Sequence, residues 1–157
     1  MQTIVPFIPA APSIGQLARS TYDCDALVTV HATTVNVLNG YETMIDNAAP
    51  AFRYTAEQFR TLHVRHSARL TRMLAGRGIT PEGNGLSMVT LNHDVLGGPI
   101  LNENDDDVMS QIRRAEAHVL HAFDDAVVAG GSELTTWQLA EMRCELIALL
   151  DATRHLG

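Results

Sequence analysis

The sequence predicts an all-α fold, a four-helix bundle in which a long crossover joins the second and third helices. Three observations support it. Along four stretches, apolar residues recur at alternating intervals of three and four, which is typical of the buried side of a helix. No stretch alternates apolar and polar residues as a half-buried strand does. Apolar residues make up 46% of the 157 residues and charged residues 18%, which is the composition of a globular domain with one core.

The first two predicted helices form a hairpin. The first covers residues 24–48, and Pro50 ends it because a proline disfavours helical geometry in the residue before it. The second covers residues 52–75. It stops at a Gly-Arg-Gly sequence in which Gly76 or Gly78 can adopt the left-handed conformation that caps a helix.

The crossover follows Gly78 and is rich in glycine, asparagine and proline. A loop of about thirty residues is rarely without structure in a compact domain, so we expect a short helix within it. The residues on one side of that helix are Leu86, Val89, His93 and Leu96. The third long helix begins at the acidic residues 105–107, which suit the positive end of a helix dipole, and ends at Gly130 and Gly131.

The fourth helix follows this glycine pair, and Ser132 or Thr135 is its predicted N-cap. Two helical pairs joined by a long crossover describe the ferritin-like type of four-helix bundle. The predicted organisation is therefore an extended N-terminal arm, residues 1–20, followed by a ferritin-like bundle, residues 21–157. The prolines that interrupt any helix in the arm are Pro6, Pro9 and Pro12.

The charge distribution argues against nucleic acid as a partner. The formal net charge is −7, and the chain has 11 basic residues, none of them lysine, with no basic face. Neutralisation of phosphates by such residues supplies most non-specific affinity for nucleic acids. No unbroken run of about eighteen apolar residues could span a membrane. The two cysteines lie far apart, which favours a reducing cytoplasm over a disulfide framework.

Two histidines occupy positions that a helix normally gives to core residues. His63 and His66 share an apolar stripe of the second helix with Phe59 and Leu70. A buried imidazole without a partner loses its solvation, so polar groups on the facing helices are expected. The acidic residues predicted near this interior are Glu42, Asp46, Glu116, Glu141 and Glu145. Carboxylate and imidazole together suit iron or manganese, so the pattern points to a metal site as one interpretation.

Three stretches carry a resemblance to a known family. They are VNVLNGYETMIDNA, FRTLHVRHSARLTRMLAGRGITPEGNG and DDDVMSQIRRAEAHVLHAFDDAV, which lie within residues 25–128. In these stretches the chain resembles small bacterial ferritin-like bundles that are catalogued as a domain of unknown function and are akin to proteins associated with stress responses. The resemblance implies a four-helix bundle that holds iron or manganese.

The resemblance also implies which residues would bind the metal. Carried over to this sequence, the metal ligands are Asp46, His63, His66, Glu116 and Glu141, with Glu42 as a substitute for the first. The chain departs from the ferritin pattern in two places. His-x-x-His replaces Glu-x-x-His on the second helix, and the fourth helix has no histidine at the required spacing.

Two functional hypotheses remain open at this point. The first is a ferritin-like metal-binding protein that is iron- or manganese-dependent and stress-related. The second is a metal-free bundle that acts as a dimerising or partner-binding module. In the second, His63 and His66 are hydrogen-bonded core residues satisfied by Asp46, by Glu116 or by a backbone carbonyl. We expect a homodimer. Motifs for a nucleophile elbow, a phosphate loop or a zinc protease are absent from the sequence, and whether the chain is an enzyme, such as a metal-dependent oxidoreductase under the first hypothesis, stays open.

The remaining polar and apolar features have plainer interpretations. His118, His121 and Asp125 lie off the apolar seam, and we expect them on a solvated face. Trp137 and Cys144 are expected to pack in the core. The arginines of the second helix are expected on its wet face, paired with acidic residues of a neighbouring helix.

Overall fold

The computed structural model contains four helices, and no strand, within residues 14–81 and 105–156, the part of the chain that it describes. The helices are α1 (Ile14–Asn47), α2 (Pro50–Ala75), α3 (Asp105–Ala129) and α4 (Glu133–Ala152). Helix α1 packs most extensively against α2 and α3, and α3 also packs against α4, whereas α2 touches α4 only lightly. The prediction of an all-α four-helix bundle is confirmed. None of the described helices has a stretch long and apolar enough to cross a bilayer.

The N-terminal boundary of α1 differs from the predicted one. The helix begins at Ile14 rather than at residue 24, so residues 14–20, which were predicted to be part of an extended arm, are helical. The physical reason is that Pro12 is the last proline before Pro50. Every residue between them has the backbone N–H that a helix needs. Residues 1–13 and the short helix predicted within the crossover lie outside the described residues.

Helix ends follow the local chemistry of the sequence. Pro50 is the first residue of α2, where its missing N–H costs nothing. At the other end of α2, Gly78 adopts a φ of 72°, whereas Gly76 stays right-handed, and Ile79 N–H donates to the Leu74 carbonyl at 3.0 Å. Helix α4 is capped by Ser132, whose hydroxyl accepts a hydrogen bond from the Thr135 N–H at 3.2 Å. The predicted caps Gly78 and Ser132 are thus confirmed.

The core is one cluster to which all four helices contribute, and it surrounds two polar side chains of α2. Its largest fully buried side chains are Leu27, Tyr41, Met44, Phe59, Leu70, Leu74, Met109, Ile112, Phe123, Leu139, Met142 and Leu146. Helix α2 makes only light contact with α3 and with α4. Charged side chains bridge α2 and α4 and are described below.

One end of the bundle is held together by a small polar contact. Arg77 Nη2 lies 3.3 Å from Asp23 Oδ2 on α1 and donates to Thr135 Oγ1 on α4 at 3.0 Å. In the turn between α3 and α4, Gly131 has a φ of 108°, and a Cβ at this position would lie 2.7 Å from Asp23 Oδ1. Only glycine fits both the backbone conformation and the close approach. This contact joins the early part of α1, the end of α2 and the α3–α4 turn.

Candidate functional site

A fully buried histidine–glutamate pair lies at the centre of the bundle. His63 Nε2 of α2 lies 2.9 Å from Oε1 and 3.1 Å from Oε2 of Glu116 on α3. The hydroxyl of Tyr41 on α1 donates a hydrogen bond to the same Oε1. All three side chains are inaccessible to solvent or nearly so. The interior carboxylate is thereby satisfied by donors from two other helices, as a buried carboxylate must be.

Aromatic rings surround this pair and continue from it through the core. The Tyr41 ring stacks on both Phe59 and His63, each with a centroid separation of 5.8 Å. The His63 and His66 rings meet edge to face at 6.2 Å, and His66 meets Phe123 edge to face at 5.8 Å. Since each ring is held by a neighbour on another helix, the imidazoles have little freedom to reorient.

The second histidine belongs to a different pair. His66 Nε2 lies 2.8 Å from Oε2 of Glu145 on α4, and Arg65 Nη2 donates to the same oxygen at 3.0 Å. The Arg69 guanidinium forms a hydrogen-bonded ion pair with Glu141 and lies 3.8 Å from Glu145. His66 is buried, whereas 32% of the Glu145 side chain is exposed. These contacts bridge the lightly packed side between α2 and α4.

Burial has opposite consequences for the pKa values of the tyrosine and the histidine. Burial raises the pKa of Tyr41 well above its ordinary value of 10.0, and the charge and hydrogen bond of Glu116 raise it further. Burial lowers the pKa of His66 to about 4, although its hydrogen bond to Glu145 opposes that shift. His66 is therefore neutral at pH 7. Burial raises the pKa of Glu145, but the hydrogen bonds from His66 and Arg65 outweigh it, and the net shift is downward.

The structure brings some of the predicted site residues together and leaves others apart. His63, His66 and Glu116 are buried in the core, as predicted. Glu141 is half-buried and paired with Arg69. Asp46 is exposed near the end of α1. Glu42, its suggested substitute, is also exposed and forms an ion pair with Arg60 at 3.3 Å. The predicted ligand set thus spans both the interior and the surface of the bundle.

The donor set gives little support for a metal ion. In the described parts of the four helices, no three His, Cys, Asp or Glu side chains are grouped in a way that could hold one. The Nε2 atoms of His63 and His66 already face carboxylates. Their Nδ1 atoms are buried and have no hydrogen-bond partner among the described residues. Buried polar atoms normally have a hydrogen-bond partner, so these two ring nitrogens are an exception within the site.

Sequence reasoning missed Tyr41 as a member of the site. The residue was placed in the apolar seam of the first helix, and only the structure shows its hydroxyl donating to Glu116. A tyrosine in a seam is a usable signal, because a buried phenol usually needs a hydrogen-bond partner. The expectation that His63 is satisfied by Glu116 is confirmed, whereas the partner of His66 is Glu145 rather than a residue named for it.

Two expected core residues lie at the surface instead. Trp137 is 60% exposed and Cys144 is exposed, because each lies two residues after a buried residue, Thr135 or Met142, and so points away from the core. Both core assignments were wrong. The prediction of a solvated face is confirmed, since His118, His121 and Asp125 are exposed. The α2 arginines pair with acids of α1 and α4, as expected.

Comparison with known proteins identifies the family. A family model described as a domain of unknown function, DUF2383, matches residues 23–129, which include α1 from Asp23, all of α2 and all of α3. The chain belongs to this family. The DUF2383 segment contains Tyr41, His63, His66 and Glu116, whereas Glu141 and Glu145 lie beyond it.

A solved structure has the same fold. It is the crystal structure of a conserved hypothetical protein, rv2844, from Mycobacterium tuberculosis, with a TM-score of 0.63 and 17% sequence identity, and the match covers 90% of this chain and 98% of that chain. At this identity the likeness concerns the fold alone. No curated protein matches the chain. The comparisons thus place this DUF2383 protein among helical bundles without naming an activity.

Proposed function

We propose that this DUF2383 protein is a metal-independent helical bundle that acts by binding another protein chain, and that the chain it binds is a second copy of itself. The observation that carries the proposal is the exposure of four large apolar side chains that lie close in the sequence to Asp23, Gly131 or Thr135, the residues that meet at one end of the bundle. We call this group the apolar end; its members are Tyr22, Val128, Leu134 and Trp137. Large apolar side chains clustered on a surface are typical of interaction sites.

The members of the apolar end lie close in the sequence to Asp23, Thr135 or Gly131, which meet at one end of the bundle. Tyr22 directly precedes Asp23, and Leu134 and Trp137 lie on either side of Thr135. Val128 is three residues before Gly131, whose backbone approaches Asp23. We infer that these side chains of α1, α3 and α4, which are far apart in the sequence, contribute to one surface. Tryptophan and tyrosine contribute large areas to interfaces at a low cost in entropy, which fits this role.

The histidine–glutamate pairs have a structural role in this proposal. Each links α2 to a different helix, so together they determine how α1, α3 and α4 are arranged around it. A hydrogen-bonded polar core can specify one packing arrangement among several apolar alternatives. A cytoplasmic location is part of the proposal and is supported by the free thiols of Cys24 and Cys144.

The test is the mass of the protein in solution. Size-exclusion chromatography with light scattering, over a range of concentrations, is expected to show a homodimer. A variant with Leu134→Ser and Trp137→Ser should be monomeric. A control with Tyr54→Ser and Val64→Ser should remain dimeric, since these residues are also large, apolar and exposed but lie on α2. A wild-type protein that is monomeric at every concentration would overturn the proposal.

The second candidate is a ferritin-like, stress-related iron- or manganese-binding protein. It is favoured by the unpaired, buried Nδ1 atoms of His63 and His66, because neutral imidazole nitrogens are good metal ligands. The long connection between two helical pairs also supports the ferritin-like relationship. Elemental analysis of protein purified without chelators, before and after loading with iron or manganese, tests this candidate. Bound metal that disappears in a His63→Gln variant would support it, and a metal content near zero after loading would end it.

A further inference from the structure

We infer that a second copy of this chain docks along α4, so that the two α4 helices pack side by side and antiparallel. The inference rests on the proposed homodimer and deepens it, because it names the helix that pairs and the direction of the pairing. Two observations support it: an exposed face of α4 whose two halves differ in size, and complementary charges on α4 and on the neighbouring edge of α2.

One face of α4 is exposed and largely apolar. Residues spaced alternately by three and four lie on one side of a helix. A series with this spacing lies away from the buried side of α4 and consists of Leu134, Trp137, Glu141, Cys144 and Ala148. Leu134 and Trp137 are 64% and 60% exposed, and Cys144 is exposed as well. Ala148 is also exposed. We call this series the α4 stripe, and it is about 21 Å long.

The two halves of the α4 stripe are complementary in size. Leu134 and Trp137 form a large first half, whereas Cys144 and Ala148 form a small second half. Two copies related by a two-fold axis present the same surface to each other, so an antiparallel pair sets the large half of one stripe against the small half of the other. The spacing then places Trp137 against the partner's Ala148 and Glu141 against the partner's Cys144. A parallel pair would instead oppose the two tryptophans.

Charges beside the α4 stripe are complementary as well. The edge of α4 next to the stripe carries Glu145, whose side chain is 32% exposed. The neighbouring edge of α2 carries Arg72, which is exposed and has no ion pair within the described part of the chain. Since Arg65 meets Glu145 and Arg69 meets Glu141, Arg72 lies beside the first half of the stripe. In the antiparallel pair that half meets the second half of the partner's stripe, so Arg72 comes near the partner's Glu145, where the opposite charges attract.

An exchange of size between two facing residues tests the pairing. Ala148→Trp opposes two large side chains and Trp137→Ala opposes two small ones, so each alone should raise the Kd of the dimer at least about tenfold. The two together exchange large for small, and the combined variant should return to within about threefold of the wild-type Kd. Sedimentation equilibrium over a dilution series measures the Kd. Ala117→Trp, at an exposed position of α3, is the control and should leave the Kd unchanged. If the combined variant binds no more tightly than the single variants, the antiparallel pairing is overturned.

A charge reversal tests the contact between α2 and the partner's α4. Arg72→Glu places a carboxylate near the partner's Glu145 and should raise the Kd about tenfold at low salt, with a smaller effect as sodium chloride is added. Arg114→Glu makes the same change at an exposed arginine of α3 and should leave the Kd unchanged. Equal effects of the two variants would contradict the contact.

The same variants separate the pairing along α4 from the homodimer itself. Ala148 lies about 17 Å along α4 from Trp137, so Ala148→Trp leaves the apolar end unchanged. A wild type that dimerises and is unaffected by Ala148→Trp retains the homodimer and overturns the pairing along α4. A wild type that is monomeric at every concentration overturns both. Circular dichroism and urea unfolding of each variant verify that the bundle is intact, so that a higher Kd reflects the interface alone.

Discussion

His63 and His66 lie three residues apart on α2, and each places its Nε2 atom within 2.9 Å of a glutamate oxygen on another helix. Their surroundings nevertheless differ. The His63–Glu116 pair is shielded from solvent on both sides and gains a third member in Tyr41. In the other pair, 32% of the Glu145 side chain is exposed, and Glu145 also forms ion pairs with Arg65 and Arg69.

The difference shows that the contribution of a histidine–glutamate pair to stability depends on whether water can reach its carboxylate. A carboxylate in the interior must find all its donors within the protein, so the loss of any member leaves the others unsatisfied. A carboxylate at the edge of the bundle can replace a lost partner with water or with a neighbouring guanidinium. We therefore expect the buried pair to matter for the integrity of the core and the edge pair to matter for pH and salt dependence.

The largest expected effect comes from removing the buried carboxylate. Glu116→Ala leaves His63 Nε2 and the Tyr41 hydroxyl without an acceptor, and we expect it to lower the free energy of unfolding by about 3–5 kcal/mol. Glu145→Ala should cost about 1–2 kcal/mol, since water can reach the vacated position. Urea unfolding followed by circular dichroism measures both. Equal losses for the two variants would remove the distinction between the pairs.

A matched replacement sharpens the first result. Exchanging the whole buried group for apolar residues, with Tyr41→Phe, His63→Leu and Glu116→Leu together, should be far less harmful than Glu116→Ala, because no polar group is left unsatisfied. If the combined variant unfolds as readily as Glu116→Ala, the loss reflects disturbed packing rather than unpaired polar atoms.

The next effect is a pH dependence that comes from His66. Its pKa is about 4 in the folded protein against 6.5 for an ordinary histidine, so the unfolded chain binds more protons between these values. The free energy of unfolding should therefore fall as the pH is lowered from about 6.5 to about 4, by on the order of 2–3 kcal/mol. In a His66→Gln variant, the free energy of unfolding should depend much less on pH across this range, as urea unfolding at several pH values would show. A His121→Gln control retains the dependence, because His66 is still present in it.

Tyr41→Phe removes one hydrogen bond to the buried carboxylate and should cost about 1–2 kcal/mol in urea unfolding. The exposed Tyr54→Phe control should stay within about 0.5 kcal/mol of the wild type. Because the pKa of Tyr41 is raised on folding, its contribution to stability decreases as the pH rises above 10.0. An absorbance titration of the folded wild type should match that of Tyr41→Phe. An additional ionising phenol in the wild type would contradict the burial of its hydroxyl.

The smallest effect is expected at the edge of the bundle. Arg69→Gln removes the ion pair with Glu141, and exposed or partly exposed pairs of this kind contribute less than about 1 kcal/mol. The difference from wild type should shrink as sodium chloride is added, because salt screens charges near the surface. Arg154→Gln, which breaks a more exposed pair with Asp151, is the control. If the loss of free energy of unfolding in Arg69→Gln does not change with salt, the Arg69–Glu141 pair behaves as a buried pair, like His63–Glu116.

Local sequence features predicted the helices well and the site in part. The spacing of apolar residues, the glycine pairs and Ser132 determined where most helices begin and end, because capping and backbone freedom depend on residues close in sequence. The stripe that contains His63 and His66 correctly indicated that both are buried. Residues within one helix face were therefore predictable from their spacing alone.

Partners on other helices were not predictable to the same degree. Glu116 was expected to face His63 because it lies in the α3 seam, but Asp46 was expected in the same interior and is exposed. Trp137 was expected to be buried, yet it lies on the face of α4 opposite the buried Thr135 and Leu139. The rotation of each helix about its axis depends on packing against all its neighbours, and one helix's pattern specifies it only to within a residue or so.

The sequence by itself determined an all-α chain, the approximate bounds of its helices and two histidines that lie in the core, because these depend on interactions between residues near in sequence. Only the tertiary structure decided that His63 meets Glu116 and Tyr41, that His66 meets Glu145, and that Trp137 remains at the surface. These outcomes depend on how the four helices pack against one another and on which face each helix turns to the core. Each buried polar atom must find its donor or acceptor on whichever helix the packing brings within about 3 Å.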